Sequence, residues 1–440
     1  MNEQKVDGLG FSQSLWFATA IAAPDTPPLT DSRKADVAIV GGGFAGLSAA
    51  LHLAERGVDV VVLEAKEPGW GASGRNGGQV IAGLKHDFAD MVAAYGTDTA
   101  ERMAAFADTT ADAAFDLIAR HGIDCDAVRG GWVQGAHADS ALPEIDAMVE
   151  RLSARGGDVA ALNADEMERL LGTNWYKGGF LDRRAGTVQP LSLARGLAKA
   201  AIAVGAAVHG NSPVSGMARS AAGWVVTTEG GAAITADRVL MCTNGYSDLT
   251  GVQSAVARSV VPFFSYQIAT RPLSENQLGA LPAQGLGVSE TRRVLSYCRV
   301  DKEGRFVMGA RGALDGTLTD AAFSRPLERL QEIFPTLKGE EIVYRWNGKV
   351  AITPDHFPRI MEVAPGVGSA LGWNGRGVAI TTAMGPVLAD WMTGTPASEL
   401  PFPVTAPRPI PFHVFKRPAS GVAVTWYNYL DNRERAKSAR

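Results

Sequence analysis

The stretch 36–64, DVAIVGGGFAGLSAALHLAERGVDVVVLE, is the most informative part of the sequence. A short apolar, β-branched run at 36–41 is typical of a buried parallel strand, and a second such run follows at 58–64. Between them, residues 45–56 carry apolar side chains at helical spacing, and Gly57 is placed to end the helix. Strand, glycine turn, helix and strand within about 30 residues predict a βαβ unit.

Gly41, Gly43 and Gly46 occupy the glycine positions of a G-x-G-x-x-G pattern between the first strand and the helix. The first glycine permits a tight turn, the second lets backbone approach a pyrophosphate, and the third allows helix and strand to pack closely. The helix N-terminus then offers amide groups to phosphate. Glu64 closes the next strand, where its carboxylate can accept hydrogen bonds from ribose hydroxyls and would repel a 2′-phosphate. The unit therefore predicts a dinucleotide site and disfavours NADP.

Two further glycine-rich turns lie outside this unit. Residues 69–79, GWGASGRNGGQ, combine five glycines with polar side chains, which suits a loop that wraps a long, flat ligand. Residues 372–377, GWNGRG, precede a predicted helix whose N-terminus would stabilise negative charge on a bound ring. The alternatives are a flexible surface loop for the first turn and the N-terminal turn of a packing helix for the second.

The remaining chain alternates between cofactor-type elements and other material. The further expected elements are mostly helices over 87–171, helices over 190–204, 326–333 and 377–394, strands over 206–209 and 238–243, a hairpin over 224–235, and antiparallel strands over 259–272 and 294–311. This order predicts an α/β fold in which one cofactor domain is assembled from several segments. We expect that domain at 30–90, 186–258 and 345–396, a substrate domain with a mainly antiparallel sheet at 91–185 and 259–344, an N-terminal lead-in at 1–29 and a C-terminal tail at 397–440.

Composition limits the partners. Among 440 residues, 42 Lys and Arg against 46 Asp and Glu give a net charge of −4, which argues against nucleic-acid binding. Three scattered cysteines, Cys125, Cys242 and Cys298, provide neither a disulfide framework nor a Cys-x-x-Cys pair, so we expect a reducing compartment and no metal.

The N-terminal stretch 11–23 ends like a signal-cleavage site, but the residues before it, including Glu3, Lys5 and Asp7, are net negative. No apolar run approaches the roughly 18 residues of a membrane helix. We therefore expect a cytoplasmic protein without a membrane span.

The turn 41–46 with Glu64, the stretch 71–79, Trp346-Asn347-Gly348 and the turn 372–377 resemble the FAD-dependent oxidases of the D-amino-acid oxidase and glycine oxidase superfamily. Within it, the chain is most similar to the gamma-glutamylputrescine oxidase branch. The resemblance implies a Rossmann-like FAD-binding domain of the glutathione-reductase type and oxidation of a C–N bond of an amine. It also implies O2 as electron acceptor, hydrogen peroxide as product and a role in polyamine catabolism.

By position, the resemblance implies that Gly41, Gly43 and Gly46 hold the pyrophosphate and Glu64 the adenosine ribose. The full set implied for FAD is Gly41, Gly43, Phe44, Ala45, Gly46, Glu64, Ala65, Gly71, Ala72, Ser73, Asn76, Gly77, Gly78, Gln79, Val214, Thr243, Asn244, Gly245, Gly348, Gly375, Arg376, Gly377 and Val378. No Cys or His clearly matches a covalent attachment point, and His52 on the first helix is interpreted as packing or surface. We expect noncovalent FAD.

The candidate catalytic or pocket residues are Tyr266, Gln267, Tyr297, Arg299, Trp346, Lys349 and Arg376. Aromatic side chains could enclose an aliphatic amine, although core packing is the alternative. Lys349 could provide positive charge for O2 reduction, although a surface role is common for lysine. Arg376 stands where the branch commonly has His; it favours an anionic group on the substrate or product, unless it only ion-pairs structurally or faces solvent.

These observations favour an enzyme that takes a hydride from the carbon next to an amine nitrogen of a small amine, glutamylated amine or amino acid, with O2 as co-substrate. The imine would then hydrolyse to an aldehyde or keto acid. Two alternatives remain open: a dehydrogenase that passes electrons to a quinone or carrier protein, and a flavin-binding protein without turnover. An NAD-dependent reductase is disfavoured by the loop 69–79.

Overall fold

The computed structural model describes residues 10–311 and 314–438, so residues 1–9, including Glu3, Lys5 and Asp7, lie outside the described part. Within it the strands are β1 (Arg33–Val40), β2 (Val60–Leu63), β3 (Gln79–Val80), β4 (Trp132–Gly135), β5 (Val159–Asn163), β6 (Gly178–Asp182), β7 (Gly186–Thr187), β8 (Ala207–His209), β9 (Val214–Ser220), β10 (Gly223–Thr228), β11 (Ala233–Met241), β12 (Val261–Pro272), β13 (Gly287–Glu290), β14 (Ser296–Val300), β15 (Arg305–Arg311), β16 (Ile342–Ile352), β17 (Arg359–Ala364), β18 (Val367–Leu371) and β19 (Val404–Thr405). The helices are α1 (Leu15–Thr19), α2 (Phe44–Glu55), α3 (Phe88–Tyr95), α4 (Thr97–Arg120), α5 (Leu142–Ala154), α6 (Ala164–Leu171), α7 (Pro190–Ala203), α8 (Ser254–Ala257), α9 (Glu275–Leu278), α10 (Ser324–Ile333), α11 (Gly377–Met392) and α12 (Lys416–Ser438).

The predicted βαβ unit is β1, α2 and β2, at the centre of a nine-stranded sheet. Strands β18, β11, β1, β2 and β8 run parallel, in that order. Side chains of β1 alternate between two cores: Val37 and Ile39 pack with α2, α7 and α11, whereas Ala38 and Val40 pack with the antiparallel strands β9 and β10. Both faces of β1 are therefore covered, which explains its continuous apolar run.

Strand β11 corrects one sequence-based expectation. The predicted hairpin over 224–235 forms from β10 and β11, but the strand expected at 238–243 is the second half of β11. The first half pairs with β10, and the second half pairs with β18. Because β11 changes one of its neighbours midway, its two halves have different sequence patterns and were predicted as two separate strands.

The second sheet has eight strands in the order β16-β12-β15-β14-β13-β4-β6-β5. Its neighbours are antiparallel except β13 and β4. The strands expected over 259–272 and 294–311 are confirmed as β12 and the pair β14 and β15. Strands β4 and β5 fall in the region expected to be mostly helical, a correction, because these short strands are stabilised by pairing with distant partners. The expected α/β fold with a mainly antiparallel second sheet is confirmed.

Two expected domain boundaries do not follow the packing. The boundary before residue 345 falls inside β16, which pairs with β12 along its length and so belongs to the second sheet. Helix α4 was expected in the substrate domain, but it packs against α11, and its buried face, which includes Met103 and Ala111, lies in the same core as α2.

The region after residue 396 is more than a tail. Leu400 and Phe402 are buried in the core of the first sheet, and β19 pairs with β17. Helix α12 then extends to Ser438 and places the buried Asp431 against the second sheet's loop at 293–294. Among the described helices, none combines the length and apolar character needed to cross a bilayer.

Candidate active site

A single cavity of about 610 Å³ is lined by residues of both sheets. It begins at the carboxyl ends of β1 and β2, next to Gly41 and Glu64, and extends to Tyr297 and Arg311 on the second sheet. Ligands of open α/β sheets bind at such strand ends, and the volume is within the usual range for small-molecule sites.

The first turn has the geometry that its glycines predicted. Gly41 has a φ of +110°, and a Cβ there would lie 3.0 Å from the carbonyl oxygen of Cys242. A Cβ at Gly46 would collide with the Gly41 carbonyl, so this glycine allows the close packing of α2, although it lies behind the cavity wall. A Cβ at Gly43 would come within 2.9 Å of Ser73 Oγ. The turn is therefore a narrow cradle of backbone atoms.

The start of α2 fits a phosphate group. Gly43 is the N-cap and has no side chain to cap the helix. The Phe44 amide donates to Ser73 Oγ at 2.9 Å, which fixes the helix to the second glycine loop. Other amides of the first turn have no partner within the helix, and the positive end of the dipole lies at the cavity.

Glu64 is held at the edge of this cradle. Its Oε2 accepts from the Gly42 amide at 2.7 Å, and its Oε1 accepts from the Lys66 amide at 3.0 Å. Burial raises the pKa of Glu64, and the backbone hydrogen bonds act in the opposite direction. The carboxylate thus lies where a ribose would adjoin the turn.

The loop 69–79 is anchored rather than free at the surface. Asn76 Oδ1 accepts from the Gly78 amide at 2.8 Å, and its Nδ2 donates to the Ser73 carbonyl at 2.8 Å. Gln79 Nε2 donates to the carbonyls of Val288 and Cys298 on the second sheet. The loop therefore joins the two sheets along the cavity wall.

Arg75 supports this loop, a role that the sequence analysis missed. It is 1% exposed, its Nε donates to the Trp70 carbonyl at 2.7 Å, and its guanidinium lies 4.5 Å from the Trp70 ring centroid. Its own carbonyl accepts from Gln267 Nε2 and, at 3.1 Å, from Trp346 Nε1. Gln267 lines the cavity, but Trp346 lies behind it and packs against Trp16.

The middle and last segments close the remaining wall. The Thr243 and Ser247 hydroxyls lie 2.6 Å apart, and Asn244 Oδ1 accepts from the Gly372 amide at 3.0 Å, which ties the middle segment to the last glycine turn. The residues implied for FAD that line the cavity are Gly41, Gly43, Phe44, Ala45, Glu64, Ala65, Gly71, Ala72, Ser73, Asn76, Gly77, Gln79, Val214, Thr243, Asn244, Gly348, Gly375, Arg376, Gly377 and Val378. Gly46, Gly78 and Gly245 lie behind the wall.

Arg376 is the N-cap of α11 and lines the cavity. Its Nη1 donates to the carbonyls of Ala82 and Leu84, at 3.2 and 2.8 Å, and its guanidinium lies 5.5 Å from the Trp132 ring centroid. Burial lowers its pKa to about 10. Lys85, exposed towards the same cavity, has a pKa lowered to about 8 by desolvation and by the charge of Arg376.

The other candidate side chains differ in position. Tyr297 lines the cavity with its hydroxyl 2.9 Å from Ser265 Oγ, and burial raises its pKa to about 12. Lys349 lines the cavity, but its Nζ forms an ion pair with Asp248 at 2.9 Å. Tyr266 lies in the core behind the wall, and its hydroxyl donates to the Thr317 carbonyl.

Arg299, also a candidate from the sequence, supports the loop from behind. Its Nη1 donates to the carbonyls of Gly78 and Val188, at 3.0 and 2.7 Å.

The segment 289–295 and Arg311 form the far end of the cavity and were not singled out from the sequence. The only signal was the pair Arg292-Arg293 between two strands, which matches no motif.

One group of possible metal ligands occurs among the described residues: His137, Asp431 and Glu434. Arg293 forms ion pairs with both carboxylates, at 2.7 Å to Asp431 and 2.8 Å to Glu434. The carboxylates of this group are therefore already paired with a guanidinium.

Comparison with known proteins agrees with this geometry. The sequence profile of the DAO family, described as FAD dependent oxidoreductase, matches residues 36–391. Probable oxidoreductase OrdL from Haemophilus influenzae is 31% identical over 415 residues, covering 92% of this chain and 94% of that protein. Gamma-glutamylputrescine oxidoreductase from Escherichia coli is 32% identical over 384 residues, covering 87% of this chain and 89% of that protein.

Among solved structures, glycine oxidase from Geobacillus kaustophilus has a TM-score of 0.70 at 23% identity and covers 82% of this chain and 95% of its own. Iminodiacetate oxidase from Chelativorans sp. BNC1 has a TM-score of 0.69 at 22% identity, with coverages of 84% and 100%. These likenesses show the shared fold. The profile match over most of the chain and the two relatives above 30% identity show that the chain belongs to the DAO family of FAD-dependent oxidoreductases.

Proposed function

We propose that this protein is an oxidase of amines or amino acids that removes a hydride from the carbon bearing the amine nitrogen. Electrons would pass to O2 and form hydrogen peroxide, and the imine would hydrolyse to an aldehyde or keto acid. The observation that carries the proposal is the single cavity that joins the turn at Gly41 to the pocket at Tyr297. The names of the Escherichia coli and Chelativorans relatives, both of which refer to amine compounds, support this reaction class.

Bound FAD would supply the acceptor for the hydride. The chain's own contribution is placement: the start of α2 would bind the pyrophosphate, Glu64 the ribose, and the loop 71–79 one side of the ring system. The N-terminus of α11, with Gly377 as its first residue, would place its positive dipole end where negative charge develops.

The charges in the cavity favour a neutral amine. Lys85 and Arg376 both line the cavity, and positive charge near a bound ammonium group disfavours its protonated form. An unprotonated amine has the lone pair that forms the C=N bond as the hydride leaves, so no protein carboxylate is needed to take a proton from nitrogen first. The Tyr297 hydroxyl, paired with Ser265, is a neutral partner for the substrate.

We also propose that FAD is held without a covalent bond and that the protein works in a reducing compartment, the cytoplasm, in polyamine catabolism. Cys242 is the cysteine that lines the cavity, and burial raises the pKa of its thiol to about 12, which disfavours the reactive thiolate. All three cysteines are free. Release of all flavin into the supernatant after acid precipitation would agree with noncovalent binding.

An anaerobic screen tests the reaction. Purified protein carrying FAD is mixed without oxygen with amines, glutamylated amines and D- and L-amino acids, and loss of the visible flavin absorbance is followed. Bleaching, recovery on admission of air and one peroxide per substrate would agree with the proposal. Bleaching without reoxidation by air would favour a dehydrogenase, and absence of bleaching by every compound would contradict amine oxidation.

A further inference from the structure

The far end of the cavity contains positive charge that the proposed reaction leaves without a role. Arg292 and Arg311 both line the cavity, and Arg325 lies beside them. Burial and the charge of Arg325 lower the pKa of Arg311 to about 10. The pKa of Arg325 is lowered by burial and by the charges of Arg329 and Arg292. We call Arg292, Arg311 and Arg325 the arginine cluster.

Every member of the arginine cluster has a buried donor without an acceptor in the described part of the chain. The unpaired atoms are Nε and Nη1 of Arg292, Nε of Arg311 and Nε of Arg325. Arg292 is 3% exposed, so water reaches it poorly. Buried donors are normally paired, because a buried donor without an acceptor has lost the hydrogen bonds that it made to water in the unfolded chain. The cluster therefore needs an acceptor that the described residues do not provide.

The nearby carboxylates do not neutralise the cluster. Glu332 Oε2 lies 3.6 Å from Arg292 Nη1, beyond hydrogen-bond distance, and is also paired with Arg329. Glu290 accepts from the Ser296 amide through Oε1, and its Oε2 has no partner. Burial raises the pKa of Glu290, and the charges of Arg292 and Arg329 act in the opposite direction. Even with Glu290, Glu328 and Glu332 all ionised, the guanidinium groups of the arginine cluster and of Arg329 leave net positive charge at this end of the cavity.

Aromatic rings hold the two guanidinium groups that line the cavity. Arg311 lies 4.7 Å from the centroid of Phe263, and Arg292 lies 5.1 Å from that of Trp175. A guanidinium fixed on a ring presents its planar fork in one orientation, which suits the two oxygens of a carboxylate.

The position of the cluster identifies the part of the substrate that it would contact. Tyr297 packs on Gly77 of the loop 69–79, where a Cβ would come within 2.6 Å of its ring. The Tyr297 hydroxyl adjoins Ser265, and Ser265 pairs in register with Arg311. Arg311 therefore lies on the strand beside Tyr297, two residues beyond Gly309, which is the register partner of Tyr297. With the oxidised amine beside the loop 69–79, a group bound at Arg311 belongs to another part of the substrate.

We propose that the arginine cluster binds a carboxylate at the end of the substrate remote from the oxidised amine. This inference rests on the proposed function and narrows its substrate class to amines that carry a distant carboxylate. Gamma-glutamylputrescine, the compound in the name of the Escherichia coli relative, has this arrangement: a free amine at one end and, at the other, an α-carbon that carries a carboxylate and an ammonium group.

The test compares gamma-glutamylputrescine with its α-carboxamide, which has the same shape without the charge. With the FAD-loaded wild-type protein, the carboxamide is expected to raise KM at least about tenfold with little change in kcat, as expected for a charge-assisted hydrogen bond made in both ground and transition states. In R311M the preference should fall to a small fraction of the wild-type value, because Arg292 and Arg325 remain. R311K, which keeps the charge but lacks the fork, should restore part of the preference.

R345M is the matched control, because Arg345 is an exposed arginine on β16, a strand that β12 separates from β15, and it is paired with Asp320. It should retain the wild-type preference. FAD content and melting temperature are measured for each variant, and the wild-type comparison decides if R311M does not fold. Three outcomes would overturn the inference while amine oxidation stands. The wild type would have equal KM values for the two compounds, R311M or R311K would keep the whole wild-type preference, or only amines without a carboxylate would be oxidised. Absence of flavin bleaching by any amine would instead contradict the proposed function.

Discussion

The two ends of the cavity are built in opposite ways. At the nucleotide end, the turn 41–46 offers backbone amides, and its fit depends on the absence of side chains at Gly41 and Gly43. At the substrate end, the surface consists of long side chains, Tyr297, Arg292 and Arg311, which come from two strands and the loop between β13 and β14.

This difference determines which changes are harmful at each end. Added atoms should damage the nucleotide end, because backbone and ligand must approach closely there. Removed atoms should damage the substrate end, because the binding groups are themselves side chains or depend on distant partners. For each of the following substitutions, FAD content and substrate kinetics are measured together, which shows the end of the cavity that is affected.

The largest effect is expected for Gly43→Val. A Cβ at this position already comes within 2.9 Å of Ser73 Oγ, and the two methyl groups of valine would fill the cradle beside it. We expect loss of most bound FAD, measured as the ratio of visible to protein absorbance after purification. Gly230→Ala is the control, because the nearest atom to its Cβ would be Thr228 Oγ1 at 3.7 Å. Full FAD content in the Gly43 variant would contradict the assignment of the pyrophosphate site.

A smaller effect, confined to the other end, is expected for Asp431→Ala. Asp431 is 1% exposed, pairs with Arg293 at 2.7 Å and accepts from the backbone amides of Arg293 and Val294. Loss of this carboxylate should loosen the segment 290–295 and raise KM for gamma-glutamylputrescine about tenfold, the equivalent of about 1.4 kcal/mol in binding free energy. FAD content should not change.

The control for this helix contact is Asp390→Asn, which removes an exposed ion pair with Arg56. Exposed pairs contribute about 0–1 kcal/mol, so its kinetics should match the wild type. If Asp431→Ala lost FAD and kept its KM, helix α12 would not support the substrate end as described.

Trp346→Phe should have a milder effect on the boundary between the two ends. It removes one indole donor to the Arg75 carbonyl, while Gln267 still donates to the same oxygen. One lost hydrogen bond of about 1 kcal/mol corresponds to a roughly fivefold weaker hold on FAD, measured by titration of the apoprotein. A kcat reduced a hundredfold at full FAD loading would instead indicate that Trp346 takes part in the chemistry.

Sequence reasoning succeeded where spacing along the chain is itself the geometry. The glycines at 41, 43 and 46 and the strand and helix around them lie within one local unit, so their arrangement could be predicted. Gln267 and Trp346 show the limit. Both were expected in the pocket, and Gln267 lines the cavity, but Trp346 lies behind its wall. Strands β12 and β16 pair the two residues in register, and both donate to the Arg75 carbonyl. No local pattern indicates that register.

The substrate end could not be predicted for a related reason. Its segment 290–295 has no regular pattern, and its anchor, Asp431, comes from a helix about 140 residues later. Helix α12 itself could not be distinguished from a tail, because its sequence 416–438 has no clear apolar face, and Trp426 and Tyr429 are exposed. The structure of the substrate end therefore depends on contacts between elements that are far apart in the sequence.

The smallest effect should come from Lys85→Met, read as a change with pH. With its pKa lowered to about 8, Lys85 is mostly charged at pH 7 and mostly neutral at pH 9, whereas Arg376, with a pKa of about 10, stays charged. The repulsion of a bound ammonium group by Lys85 should therefore be present below pH 8 and fade above it. In Lys85→Met, where this repulsion is absent, the pKa of the bound amine, read from the dependence of kcat on pH, should rise by about half a unit, since exposed charges interact weakly.

Lys302→Met is the control, because it removes an exposed lysine paired with Asp126. The dependence of its kcat on pH should follow the wild type. An unchanged dependence in Lys85→Met would mean that the amine is bound beyond the reach of Lys85. A shift of the same size in Lys302→Met would assign the effect to the net charge of the protein instead of to Lys85.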